Sequence, residues 1–131
     1  SVLFTGDAEW NAEHALLANG QRLQTTVLKV GHHGSETSTC YAFLREIMPQ
    51  YAVISVGKGN TYGHPAESTL SRLRDADVVV FRTDEQGTII CRSDGKVTTE
   101  GVKGRTESSL LPPQRRNPLQ QKRCIRKENR E

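Results

Sequence analysis

Three short, glycine-flanked segments concentrate the residues able to do chemistry: Thr5-Gly6-Asp7-Ala8-Glu9, Gly31-His32-His33-Gly34-Ser35, and Gly57-Lys58-Gly59-Asn60-Thr61-Tyr62-Gly63-His64-Pro65. Between them they hold three of the four histidines, while His14 stands apart within a helical pattern. Carboxylate oxygen and neutral imidazole are donors that suit zinc or manganese, and glycine permits the tight turns that aim them. Each residue also has a plain structural reading. Asp7 is equally suited to capping a helix that starts at Ala8. His64 before a proline fits an ordinary helix entrance. A double histidine framed by glycines is harder to explain as a simple polar turn. Asp7, His32, His33 and His64 together favour a divalent-metal site.

The neighbouring polar residues say less. Lys58 and Asn60 have the groups to bind a phosphate, but a surface loop is the simpler explanation. Glu9 and Glu13 lie one helical turn apart and read as solvated. Ser35, two residues after His33, lacks an elbow motif, which argues against serine hydrolase chemistry.

The elements that must position these loops alternate in period. Val2-Leu3-Phe4-Thr5 is a short strand pattern running into Gly6-Asp7. Ala8, Ala12, Ala15 and Leu16 recur at helical spacing up to Asn19-Gly20. Residues 25–30 are β-branched and end at Gly31; Cys40, Phe43, Leu44 and Ile47 then mark a second helix that Pro49 closes. Residues 51–56 are a third strand. Ala66, Leu70 and Leu73 give a third helix with Pro65 at its first turn. Residues 78–81, 88–91 and 97–99 read as a closing meander with a turn at Asp94-Gly95. The pattern predicts an α/β fold with a mixed sheet and flanking helices. Loops after the strands of such a sheet gather at one edge, so Asp7, His32 and His64 should meet there.

At 131 residues the chain has room for one modest domain. Charge divides it. Residues 102–131 carry nine basic side chains against three acidic, while residues 1–101 carry nine against twelve. With Pro112-Pro113, Pro118 and little apolar periodicity, residues 102–131 read as a basic, disordered tail behind a domain of residues 1–101. Such a tail suits a solvated terminus, or contact with nucleic acid or anionic lipid. No apolar run reaches the 18 or so residues that a membrane span needs. Cys40, Cys91 and Cys124 lack CxxC spacing and support neither a disulfide framework nor a cysteine zinc site. The opening Ser-Val-Leu-Phe, with no initiator Met, reads as a start inside a longer protein.

The order Leu-Phe-Thr-Gly-Asp-Ala-Glu, Val-Leu-Lys-Val-Gly-His-His-Gly-Ser, and Ile-Ser-Val-Gly-Lys-Gly-Asn-Thr-Tyr-Gly-His-Pro, followed by Phe-Arg-Thr-Asp-Glu-Gln-Gly-Thr-Ile, resembles one family. It is similar to the metallo-β-lactamase-fold domain at the C-terminus of ComEC-type competence proteins, which internalise DNA. The resemblance covers about residues 1–97. It implies the second half of an αββα sandwich, with Zn or Mn as a pair of ions and phosphodiester hydrolysis (a nuclease) as the activity. Asp7 would be the bridging carboxylate, and His32, with His33 second, a terminal metal ligand. His64 and Lys58 would meet the substrate phosphate. The family's HxHxDH motif, which supplies most ligands, is absent from this chain. The implied partners are therefore DNA, the first half of the domain, and a transmembrane channel region of the parent. The implied location is membrane-associated, on the extracytoplasmic face. Two other readings remain: a phosphorylcholine esterase or lactonase of the same fold, and a non-catalytic nucleic-acid-binding module.

Overall fold

The computed structural model describes residues 1–93, Gly95 and the backbone of Val102–Lys103. Four strands, β1 (Val2–Phe4), β2 (Val27–Lys29), β3 (Tyr51–Ile54) and β4 (Val79–Arg82), form one sheet in the order β1-β2-β3-β4. Every pairing is parallel, with Val2, Val27, Tyr51 and Val79 in one row and Phe4, Lys29, Val53 and Phe81 in another. Helices α1 (Trp10–Ala18), α2 (Tyr41–Ile47) and α3 (Glu67–Asp75) are the crossovers. Parallel neighbours joined in sequence by right-handed crossovers put all three helices on one face. The core confirms this. Leu28, Ala52 and Ile54 from the strands are fully buried, packed with Phe43, Leu44, Ile47 and Leu73 from the helices. Leu16, Leu17 and Leu70 complete the layer.

The sheet is not mixed, contrary to the sequence expectation. A short helix, α4 (Thr83–Gln86), follows β4 at once and turns the chain away. Strand β5 (Ile90–Cys91) then pairs antiparallel with β6 (Val102–Lys103) in a separate two-stranded sheet. The expected strand over residues 97–99, the rest of the basic tail and Cys124 lie outside the described residues.

Helix boundaries differ from the periodicity where loops take the terminal groups. Helix α1 begins at Trp10, not Ala8, because the Ala8 amide donates to the Thr5 carbonyl (3.0 Å) and closes a turn. The Trp10 amide donates to the Thr37 carbonyl at 2.9 Å. Helix α2 ends on Met48 in the left-handed conformation (φ 42°), one residue before Pro49. Pro65 lies outside α3, whose N-cap is Ala66.

Glu13 is the main departure from the sequence reading. Expected to be solvated, it is 1% exposed. Its carboxylate accepts the Thr39 amide and, at 2.8 Å, the Cys40 amide, the residue that caps the N-terminus of α2. Arg72 of α3 supplies the opposite complement. It donates to the carbonyls of Thr39 (3.0 Å), Glu36 (2.8 Å) and Ser38 (3.0 Å) and to Thr69 Oγ1 (2.8 Å). Burial lowers the Arg72 pKa from its ordinary value, opposed by Tyr41 and Glu13. Burial likewise raises the Cys40 thiol pKa.

Glu13→Ala should cost about 2–4 kcal/mol in urea denaturation, because it strands two backbone N–H groups that the loop has no other means of satisfying. A loss below about 1 kcal/mol would mean that water replaces the carboxylate.

Candidate functional site

The glycines of Gly31-His32-His33-Gly34 are there for contact as well as for turning. A Cβ on Gly31 would stand 2.8 Å from the Ala8 carbonyl oxygen and 3.2 Å from Thr5 Oγ1. A Cβ on Gly34 would stand 2.6 Å from Pro65 Cβ. Loop 5–9 therefore presses on one end of the histidine turn and Pro65 on the other. Backbone hydrogen bonds hold both contacts: the His32 amide to the Gly6 carbonyl (3.0 Å) and the Ala66 amide to the Gly34 carbonyl (2.8 Å). All three sequence segments meet at the C-terminal edge of the sheet.

The turn itself is left-handed. His32 (φ 46°), His33 (φ 54°) and Gly34 (φ 85°) all have positive φ. For the two histidines this costs about 1–2 kcal/mol each. Ser38 Oγ, placed to donate to both the Gly31 and Ser35 carbonyls at 2.9 Å, and Thr69 Oγ1, donating to the Ser35 carbonyl at 2.7 Å, hold the turn. Ser35 is thus tied into the scaffold through its backbone carbonyl, while its Oγ lies 3.1 Å from Thr37 Oγ1.

The two histidines are oriented by different partners. His32 Nδ1 lies 3.1 Å from Glu9 Oε1, and Glu9 also accepts from Thr37 Oγ1 at 3.1 Å. His33 Nδ1 lies 2.7 Å from the Ser55 carbonyl oxygen, which only accepts, so His33 carries its proton on Nδ1. In both rings the Nε2 edge is left for a ligand. Glu9, read from sequence as a solvated residue, is a positioning residue for His32. Its signal lay in sequence distance, since an i to i+23 pairing has no local periodicity.

His64 joins them. Its ring centroid lies 5.8 Å from that of His32, edge to face, and 6.0 Å from Tyr62, stacked at 22°. His64 Nδ1 is buried with no hydrogen-bond partner. His33, Val56, Asn60, Tyr62, His64 and Thr83 line a cavity of about 350 Å³. Asn60, expected to be a plain loop residue or a phosphate contact, staples the loop. Its Oδ1 accepts the Tyr62 and His64 amides at 3.1 Å, and its Nδ2 donates to the His64 carbonyl at 2.6 Å. Lys58 is exposed on the same loop.

Asp7 does not cap α1, whose N-cap is Glu9 and receives no side-chain cap bond. It follows Gly6, whose carbonyl holds the histidine turn, and its charge reaches Lys29. Burial lowers the Lys29 pKa and Asp7 opposes that shift. Among the described residues, no three His, Cys, Asp or Glu side chains are gathered closely enough to hold a metal ion.

These features define an α/β protein with a cluster of histidines at the C-terminal edge of a parallel sheet. Over 102 residues, 78% of its length, the chain is 40% identical to ComE operon protein 3 of Bacillus subtilis (strain 168). It is 40% identical to competence protein ComA of Neisseria gonorrhoeae over 90 residues and 38% identical to Recombination protein 2 of Haemophilus influenzae over 89. The similarities relate the chain to competence proteins. The matched segments cover 68% of this chain for the latter two, and 13%, 13% and 11% of the three relatives' own lengths. No protein-family model matches the chain, and no solved structure does.

Gly34→Ala should destabilise the fold by about 2–4 kcal/mol, the sum of a strained left-handed residue and a clash with Pro65. Gly57→Ala, where a Cβ meets nothing within 4 Å, should stay within about 0.5 kcal/mol. Thermal or urea unfolding of the two variants checks both.

Proposed function

We propose that this chain is the second half of a metallo-β-lactamase-like αββα domain that hydrolyses DNA phosphodiester bonds during competence-type DNA uptake. The observation that carries the reading is the docking of three loops around Gly31-His32-His33-Gly34, in a chain related to competence proteins. Asp7 with His32 or His33 would hold divalent cations, zinc or manganese. The free Nε2 edges of both oriented histidines and the unpartnered His64 Nδ1 fit that assignment in part. The described residues do not complete a site, so the remaining ligands would come from an HxHxDH segment in the first half of the domain. When bound, the cations would supply an activated water at neutral pH.

The chain's own residues then have separate tasks. Glu9 and the Ser55 carbonyl fix the two imidazole rings, so that no reorientation is needed when a ligand arrives. His64 and Lys58 would meet negative charge on the phosphate. The basic tail would add salt-sensitive affinity for the DNA backbone.

The sheet supplies a place for the missing half. One face is covered by helices; on the other, Val2 is 50% and Phe4 77% exposed. Val27, Tyr51, Val53 and Val79 share that face by register and are half-buried. The first half of the domain would cover this surface, in keeping with relatives several times longer than the chain. No described helix is long and apolar enough to cross a membrane. Membrane attachment on the extracytoplasmic face would therefore come through a channel region elsewhere in the parent.

A second reading, a non-catalytic nucleic-acid-binding module, draws support from the lack of a three-ligand cluster among the described residues.

The test is to join this chain to an HxHxDH-containing first half and assay metal-dependent cleavage of DNA. Asp7→Ala should nearly abolish cleavage, and His64→Ala should reduce it by about 10²-fold. Phe4→Glu should leave this chain's own stability within about 0.5 kcal/mol yet weaken association with the first half in pull-down titrations. A joined domain that binds metal but cleaves only a lactone or a small phosphodiester would sink the competence assignment. One that binds DNA without cleaving it would favour the binding module.

A further inference from the structure

We propose that Tyr62 is a nucleobase-stacking platform, so that the chain takes single-stranded nucleic acid with one base seated on this ring beside the histidine cluster. The inference rests on the nucleic-acid part of the reading above and not on its metal.

Tyr62 is 82% exposed, and among the described aromatic residues only Phe4, at 77% on the far side of the sheet, comes near it. A single exposed aromatic is ordinary. The support beneath this one is not. Its ring lies offset and near-parallel to that of His64, with centroids 6.0 Å apart and planes 22° from parallel. His64 in turn meets His32 edge to face at 5.8 Å. The three rings form a ladder from solvent to the candidate site, and at 82% exposure the outer face of Tyr62 is open to a further planar group.

The loop that carries the ring is fixed. Asn60 uses its side-chain amide to bind the backbone at Gly57, Tyr62 and His64. With both lone-pair sites of the oxygen and both N–H groups engaged, the amide has no capacity left. The ordering entropy of the platform is therefore already met before a ligand binds. Lys58, exposed on the same loop, supplies positive charge for the adjoining phosphate. An aromatic ring and a cation on one loop are the elements that single-strand binding proteins combine, and stacking tolerates any base because every base has a π-face. A duplex keeps its bases stacked internally, so the platform selects unpaired strands or frayed ends.

The experiment compares two labelled strands of equal length and charge, an oligothymidylate and a strand of abasic sites, by fluorescence anisotropy. The full 131-residue chain is used in EDTA at constant salt. The wild-type protein should prefer the strand with bases. Tyr62→Ala should weaken that binding by about tenfold and leave the abasic strand unchanged, while Tyr62→Trp should retain the preference. The basic tail acts on both strands alike and cancels in the comparison. Equal loss on both strands, no loss on either, or no binding by the wild-type chain would overturn the proposal. The hydrolytic reading fails by a different result, the absence of metal-dependent cleavage by the joined domain, whatever Tyr62 does.

Discussion

A loop buried between two helices has to satisfy every backbone group it removes from water. Residues 35–40 face that constraint, with Ser38 fully buried, Thr39 at 1% and Ser35 at 7% exposure. A carboxylate from α1 takes the loop's N–H groups and a guanidinium from α3 takes its carbonyls. The Trp10 ring packs 5.9 Å from the Arg72 guanidinium carbon, adding a cation–π contact. Glu13 and Arg72 therefore join three helices through one loop. The two charges are tolerable inside because Glu13 uses both carboxylate oxygens and Arg72 its Nε and Nη2 in hydrogen bonds, and removal of either leaves uncompensated polar groups.

The histidine turn depends on that loop. Ser38 and Thr69, both anchored in the same network, hold the carbonyls that bracket the turn. The turn then tolerates two consecutive left-handed histidines, a strain that the surrounding structure must over-determine. Packing on Ala8 and Pro65 at the two framing glycines completes the constraint. Rigid support beneath a cluster of imidazoles serves a binding site well, since ligand geometry is set before a ligand arrives.

The fold leaves its two sheet faces unequal. Helices seal one face with Leu28, Ala52 and Ile54 against Phe43 and Ile47. The opposite face is apolar by register except for Lys29, and it is open toward β1, where Phe4 is 77% exposed. Closer to β4 it is better covered, with Phe81 at 3% and its ring 6.2 Å from that of Tyr51. A parallel sheet is normally buried on both faces, which is the physical basis for assigning this surface a partner.

Much of the architecture was legible because it is written in local periods. Short apolar and β-branched runs placed β1 to β4, and 3.6-residue spacing placed α1 to α3 to within a turn. Glycine-flanked histidines after strands meet at one sheet edge, as expected, since parallel topology alone brings those loops together. Sheet composition was not legible: the short helix over Thr83–Gln86 diverts the chain after β4, and its Asp-Glu-Gln-Gly sequence reads equally as a hairpin turn. Nor were the roles of Glu9, Glu13, Asn60 and Arg72. A carboxylate on a helix looks solvated until the chain returns a partner from more than 20 residues away, as Thr39 does for the buried Glu13; Glu9 stays exposed, as expected, yet gains His32 the same way. The sequence determined which residues were available for chemistry and on which elements they sit. The tertiary structure alone decided which of them were buried, oriented and paired, because those properties belong to long-range contacts that no local pattern encodes.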